Sequence, residues 1–401
     1  MFRNITRNIW LLSLVSLFTD MASEMLYPVM PVYLKHIGFS VLLIGILEGI
    51  AEAVAGLSKS YFGGLSDKAG KRLPFVQMGY ALSAISKPMM ALFTNIPWVF
   101  SARTTDRLGK GIRTAARDAL LNQEAKPGGR AAVFGFHRAM DTMGAVFGPI
   151  LALVFLYFYP GQYKTMFLLA FIPGMLAIVF TLLIKEKNVV PAKQKRVGLL
   201  FAFRYWKEST PQYKKLVTAL LIFALINSSD LLLLLKIKED GYSDQQVISV
   251  YIFYNLIYAL LAFPMGRWAD RIGLKKIFLM GLFFFFITYS GFAFSQSIPV
   301  YLFLFFCYGI YAAATEGISK AWISGLVQQE ETASAIGTFT GFQSIAALIS
   351  SSLAGFLWFQ FGAKVAFLFT AIAALLLLLY FWRLKFIRED MDVTATSVDR
   401  Q

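Results

Sequence analysis

The chain has 401 residues, of which 57% are hydrophobic and only 15% charged, with a net charge of +15. Soluble domains carry about 25% charged residues, so too little polar surface remains here to coat a globule. One cysteine, Cys307, and two histidines, His36 and His137, exclude an internal disulfide framework and any Cys/His metal or redox cluster.

The apolar residues fall in blocks of roughly 20, the length that crosses a hydrocarbon core of about 30 Å. In chain order the blocks are 9–34, 41–65, 74–94, 97–121, 131–158, 164–184, 215–236, 245–265, 276–295, 298–323, 333–360 and 364–384. A backbone in lipid must satisfy its own hydrogen bonds, so each block is expected to be helical. Runs such as IFLMGLFFFFITYSGFAF do not alternate, which argues against a β-barrel. The N-terminal MFRNITRN and its apolar run resemble a signal peptide. That run continues past Asp20 and Glu24 to Tyr33 without a small-residue cleavage site, and reads as a retained first span.

The basic residues lie between spans, which makes them an orientation signal rather than a nucleic-acid footprint. Arg3, Arg7, Lys68, Lys71, Arg72, Arg113, Arg117, Lys126, Arg130, Arg267, Arg271, Lys275 and Lys276 fall on one side, with the linker and C-terminal clusters. The other side holds Lys35, Lys164, Lys236, Lys238 and Lys364. The asymmetry predicts an integral membrane protein with both termini cytoplasmic. The compact length and short loops suggest a bacterial inner membrane.

The chain divides into an N-terminal six-helix bundle (1–184), a Lys-rich cytoplasmic linker (185–214), a C-terminal six-helix bundle (215–384) and a cytoplasmic tail (385–401). Phe201, Phe203, Tyr205 and Trp206 suggest that part of the linker lies in the membrane interface. The halves repeat: GFS at 38–40 matches GYS at 241–243, and Gly63, Asp67 and Gly70 match Gly266, Asp270 and Gly273, each pair 203 residues apart. That register implies two pseudo-symmetric six-helix bundles, an all-α arrangement that in transporters places substrate near the midplane between halves.

GGLSDKAGKR at 63–72 and GRWADRIGLKK at 266–276 resemble the loop signature of the major facilitator superfamily, Gly-x-x-x-Asp-Arg/Lys-x-Gly-Arg/Lys-Arg/Lys, after the second and eighth spans. The resemblance covers essentially the whole chain. In span five, Gly135, Gly144, Gly148 and Pro149 fit a signature of the family's drug:proton antiporters, with Ala152 and Leu153 where paired glycines follow. In span four, Arg103 fits the family's Arg-x-x-Gln-Gly, but Asp106 and Arg107 replace the Gln-Gly pair. The resemblance implies the major facilitator fold and a secondary transporter. It also implies gating by Gly63, Asp67, Gly70, Arg72, Arg113, Gly266, Asp270 and Arg271, with Asp67 bracing a cytoplasmic gate against basic groups and a helix N-terminus.

Ionisable groups at mid-span cost at least about 2.5–3.5 kcal/mol each, so they line an interior or a pathway. Asp20 and Glu24 are four apart in span one; Glu48 and Glu52 repeat the spacing in span two, with Lys59 seven further on. Burial and a neighbouring cation act oppositely on a carboxylate, which brings protonation within physiological reach. These four acids are the candidates for proton coupling; a static ion pair pinning spans together is the alternative. Span four carries a stripe of Arg103, Asp106, Arg107, Lys110, Arg113 and Arg117. Arg113 and Arg117, near its cytoplasmic end, read as gate or lipid-headgroup residues. The deeper cations either pair with the acids of spans one and two or bind an anionic substrate, for which a guanidinium is suited. His137, Arg138 and Asp141 in span five, Lys87 in span three, Asp230 in span seven, and Glu316 and Lys320 in span ten complete the deep set. Asp106 and Lys110 match Glu316 and Lys320 at an offset of 210. Tyr251, Tyr254, Tyr308 and Tyr311 can shape a cavity wall.

No Walker loop, HExxH or Gly-x-Ser-x-Gly is present, which disfavours ATP-driven transport and enzyme chemistry. The reading is a proton-coupled secondary transporter of a small anionic or zwitterionic organic solute, working by alternating access. It needs no cofactor. Its partners are the solute, protons and membrane lipids, not nucleic acid, and it is expected as a monomer. A drug:proton antiporter for lipophilic cations or neutral compounds, and a flippase for an anionic amphiphile, are the alternatives.

Overall fold

The computed structural model describes residues 5–27, 30–39, 41–126, 128–186, 198 and 201–383. Most of the Lys-rich part of the linker and the tail 385–401 lie outside them. Fifteen α-helices account for the described chain, with no strand among the described residues. They are α1 (Arg7–Glu24), α2 (Met30–His36), α3 (Val41–Ala69), α4 (Leu73–Leu92), α5 (Ile96–Glu124), α6 (Arg130–Phe158), α7 (Tyr163–Leu182), α8 (Phe201–Glu208), α9 (Pro211–Ala224), α10 (Asp230–Glu239), α11 (Asp244–Ile272), α12 (Leu274–Phe292), α13 (Ile298–Gly325), α14 (Thr332–Phe361) and α15 (Ala363–Arg383).

These make twelve spans once α1 and α2 are taken as span one, α9 and α10 as span seven, and α8 as a linker helix. Among the described residues seven helical segments, spans five, six and eight to twelve, are long and apolar enough to cross a membrane by length and composition. Spans one and seven fall short because each is broken, and α5 because it carries many ionisable side chains. The breaks occupy corresponding places in the two halves. Discontinuous helices at matching positions are a mark of transporter binding sites, since irregular backbone at membrane depth is tolerated only where it lines protein or a watery cavity. In span seven the chain runs through Asn227, Ser228 and Ser229 before Ser229 caps α10 by accepting from the Leu231 amide at 3.3 Å.

The halves meet along two antiparallel helix pairs, α3 with α14 and α6 with α11. Side chains are small at the crossings. A Cβ at Gly63 would lie 2.6 Å from the Ala333 carbonyl, and one at Gly337 would lie 2.5 Å from the Lys59 carbonyl. Across the other pair, Gly266 meets the Ala131 carbonyl and Gly135 meets the Ala262 carbonyl, also with no room for a Cβ. Backbones touch there because dispersion and desolvated polar contacts, not a hydrophobic effect, hold helices together in lipid. Direct contacts between the halves include Ser60 to Thr338 at 3.4 Å and Lys59 Nζ to Ser344 Oγ at 3.1 Å, with Tyr251 to Glu24 at 3.5 Å further from the end bearing the basic loops. The fold is thus sealed at the basic end.

Replacing Gly266 by Val puts a branched side chain into the Ala131 and Ala132 backbone, which forces the halves apart at the basic end. With Cys307→Ser and Thr338→Cys introduced, labelling of residue 338 by a membrane-impermeant maleimide from that end should rise several-fold. Unchanged labelling would mean that the glycine contacts do not hold the seal.

Candidate functional site

The sealed end is built twice, by the same register. Asp67 Oδ2 accepts from the Ser334 amide at 2.7 Å, at the start of α14, while Arg72 Nη2 donates to Asp67 Oδ1 at 3.1 Å. Asp270 accepts from the Ala131 and Ala132 amides at 3.0 and 2.8 Å, at the start of α6. Ser334 and Ala131 are themselves 203 residues apart, as Asp67 and Asp270 are. Each acid therefore belongs to one half and caps the first turn of a helix in the other. The first amides of a helix have no intrahelical acceptor and carry its positive pole, so a carboxylate satisfies both needs. Arg72 is 1% exposed and also donates to the Gln329 carbonyl, which ties the first half to the turn before α14. Gly70 adopts φ 61°, the left-handed turn that brings Arg72 back onto Asp67. Gly273 ends α11 at the matching position with φ 105°. Arg271 is exposed beside it.

Arg113 and Arg117, expected at the gate or among lipid headgroups, are buried within the helix bundle, 5% and 7% exposed, which removes them from the headgroups. Arg113 stacks over the Tyr80 ring at 4.6 Å and donates to Ser83. The stripe on α5 points inward because its neighbours α3 and α4 supply polar partners.

A closed ring of polar contacts lies in the part of the bundle toward the basic end and begins and ends on α13. Lys320 Nζ reaches Asp118 Oδ2 at 2.6 Å; Arg117 grips Asp118 Oδ1 at 3.0 Å; Arg117 Nη1 donates to Ser16 at 3.2 Å. Ser16 donates to Asp141, Arg138 Nη1 meets Asp141 at 2.7 Å, and Arg138 Nη2 meets Glu316. The ring joins spans one, four, five and ten, and crosses between the halves twice. His137 is buried beside it, with neither ring nitrogen hydrogen-bonded among the described residues. Asp118 and Ser16 escaped the sequence reading. Asp118 is 0% exposed, and its signal was an acid inside the apolar run ARDALL.

The repeat of Asp106 and Lys110 as Glu316 and Lys320 does not make two pairs. Asp106 binds Lys87 at 2.7 Å with Arg103 at 3.7 Å, and Glu316 binds Arg138. Lys110 and Lys320 turn elsewhere. Lys110 is exposed and has no ion-pair partner among the described residues, yet acts electrostatically on Asp20, Glu24, Glu52 and Lys59. Asp20 likewise has no hydrogen-bond or ion-pair partner among them. Arg107 Nη1 meets Glu52 at 3.0 Å, and the Glu52 side chain is 56% exposed. A carboxylate so exposed at mid-span, among cations whose neighbour Lys59 touches the other half, faces a water-filled space between the halves. The side chain of Glu48 on α3 lies outside those described.

On the other side of that space Asp230, at the start of α10, accepts from Tyr308 at 2.6 Å. Tyr308 packs against Tyr254 and Tyr311 with ring centroids 5.1 and 5.0 Å apart, so the expected tyrosine wall belongs to the C-terminal half. A cavity of about 60 Å³ opens between Arg138, Asn227, Glu316, Lys320 and Gln343. The Asn227 Oδ1 there has no hydrogen-bond partner among the described residues.

Asp118 holds two buried cations, and removing one partner from a buried ion network costs about 3–5 kcal/mol. Asp118→Asn should lower thermal stability in detergent strongly. Adding Lys320→Met to that variant should recover part of the loss, because one of the orphaned charges is then gone. Additive losses in the double variant would show that Lys320 and Asp118 do not act as a pair.

Comparison with known proteins agrees with this architecture. The sequence profile of the Major Facilitator Superfamily matches residues 12–243 and 216–397. The MFS-type transporter MJ1317 of Methanocaldococcus jannaschii is 32% identical over 381 residues, 93% of this chain and 94% of its own. The multi-drug resistance efflux pump PmrA of Streptococcus pneumoniae is 23% identical over 374 residues, 88% of this chain and 90% of its own. The crystal structure of the human organic anion transporter MFSD10 superposes with a TM-score of 0.80 at 16% identity, covering 94% of this chain and 99% of that one, which is a likeness of fold. The two capped helix starts, the paired spans and these matches have one reading: the chain is an integral membrane protein of the Major Facilitator Superfamily, a family of transporters.

Proposed function

We propose that this chain moves a small organic anion or zwitterion across the membrane by alternating access, coupled to protons, with the sealed end on the cytoplasmic side of a bacterial inner membrane. The observation that carries this reading is Lys110, an exposed mid-span cation with no ion pair among the described residues, beside Asp20, which has no hydrogen-bond or ion-pair partner among them. Arg107, Lys59 and Lys110 give the space between the halves a cationic wall on the N-terminal side. An anionic group entering it displaces Glu52 from Arg107 or takes the vacant place at Lys110. The name of the structural neighbour, an organic anion transporter, is in keeping with such a lining. Asp67 and Asp270 would serve as gating residues, because each must give up the helix start of the opposite half before the sealed end can open.

The same geometry supports one sign of coupling for each class of substrate. Asp20 and Glu24 compete with an anionic substrate for Lys110. A proton on either acid withdraws that competitor, so proton and anion bind cooperatively and travel together. A cationic substrate would instead compete with the proton for the acids, which gives exchange. This second reading, export of lipophilic cations, is supported by Asp230 among its tyrosines, since aromatic faces with a carboxylate suit an organic cation. Relatives named as a multi-drug efflux pump and as a quinolone resistance protein, the latter 31% identical over 123 residues, point the same way.

Proteoliposomes separate the two. With an inward proton gradient, anion uptake should rise and Lys110→Met should raise the half-saturating concentration roughly tenfold to a hundredfold, the loss of one charge-assisted contact of about 1.5–3 kcal/mol. Asp20→Asn should leave uptake but remove its dependence on the gradient. Movement of lipophilic cations alone, unaffected by Lys110→Met and abolished by Asp230→Asn, would replace the anion reading.

A further inference from the structure

The linker helix α8 is amphipathic and lies at the basic end across both halves. Its Phe201 ring fills the space where a Cβ on Gly64 of α3 would stand, 2.6 Å away. Its Tyr205 hydroxyl lies 3.3 Å from Glu331, and the Tyr205 and Tyr213 rings pack with centroids 5.6 Å apart. Its other aromatic residues face outward. Phe203 and Trp206 roof a groove of about 400 Å³ whose walls include Leu221 of α9, Leu225 just past its end, and Phe342, Ile345 and Ile349 of α14. Phe203 is 61% exposed and Ile349 50%.

That groove opens on the outer face of the bundle, at the depth of the hydrocarbon, where acyl chains are the solvent. The charge near it is mainly positive. Lys207 is exposed on α8, and Lys214 Nζ donates to the Lys207 carbonyl at 2.8 Å, which draws the start of α9 onto the end of α8. Lys215 is exposed next to it, and Lys275 is close enough to feel its charge. The acid on α8, Glu208, is taken up by Arg204 at 2.9 Å. Basic clusters beside a span attract anionic lipid, by about 1 kcal/mol per Lys or Arg near the surface.

We propose that this groove is a binding site for an anionic phospholipid. One acyl chain lies between α9 and α14 under Phe203 and Trp206, and the phosphate sits on Lys207 with Lys214 and Lys215. Because α8 bridges the halves at the sealed end, the bound lipid packs the bridge down and stabilises the state closed at that end. The proposal is independent of which solute is carried.

Trp206 is the built-in probe. The full chain is reconstituted in phosphatidylcholine vesicles containing a minor fraction of phosphatidylglycerol. Bromine, which quenches indole fluorescence on contact, is placed either on the phosphatidylglycerol chains or on an equal fraction of the phosphatidylcholine chains. The Trp206 signal is the difference between the native chain and Trp206→Phe. Quenching should be several-fold stronger with brominated phosphatidylglycerol. Lys207→Glu with Lys215→Glu should erase that preference while leaving the phosphatidylcholine value unchanged. Leu225→Phe with Ile345→Phe, which fills the groove, should lower both. Equal quenching by the two lipids in the native chain would overturn the headgroup assignment, as would a preference that survives charge reversal. Absence of quenching by either would overturn the groove as an acyl site.

Discussion

An ionisable group in the hydrocarbon layer must be paired or must face water, and the interior of this protein is arranged around that requirement. More than a dozen charged side chains sit at membrane depth. Most are absorbed into two assemblies: Lys87, Asp106 and Arg103 inside the N-terminal half, and the ring from Lys320 through Asp118, Arg117, Ser16, Asp141 and Arg138 to Glu316. A buried ion pair is weak evidence of stability, since desolvation can offset the attraction. Its value here is positional. Breaking the ring leaves charges in a medium that cannot solvate them, so spans one, four, five and ten are held in one register.

What the ring leaves over is the surface that the proposed transport uses. Asp20, Glu52 and Lys110 are accessible at a depth where access implies water, and Lys59 reaches from that surface to Ser344 in the opposite half. A charge already satisfied twice, such as Asp118, has little capacity for a ligand. A charge with solvent on one side keeps it. The distinction between scaffold and ligand within a single helix, α5, therefore comes from neighbours: α4 takes Asp106, α3 takes Arg107, and nothing among the described residues takes Lys110.

Closure of the basic end follows a second constraint, that helix starts present amides needing acceptors. Each half lends one carboxylate to the other, and the glycines at the crossings let the backbones come close enough for the exchange. The linker helix lies over one of these junctions with an aromatic residue on each half. The device is symmetric in register but not in partners: Asp67 also holds Arg72, whereas Asp270 is bound by amides of α6. The two junctions thus differ in how much charge must be exposed when they open.

The sequence by itself determined the class of fold, because hydrocarbon length and backbone satisfaction leave few choices, and the 203-residue offset marked the two acids, Asp67 and Asp270, that play the same part in each half; which helix each one caps came from the packed structure. It also marked the deep charges, since a cation in an apolar run is conspicuous in one dimension. It did not determine their partners. Spacing of three or four suggested pairs along a helix, yet neighbouring helices competed: Asp118 of α5 holds Lys320 in place of Glu316, and Lys87 of α4 holds Asp106 in place of Lys110. The same competition drew Arg113 and Arg117 inward from the lipid headgroups, and put Ser16 and Asp118 into a ring that no single segment announces. Distances across helices depend on how six spans rotate about their axes, and only the packed structure sets those angles.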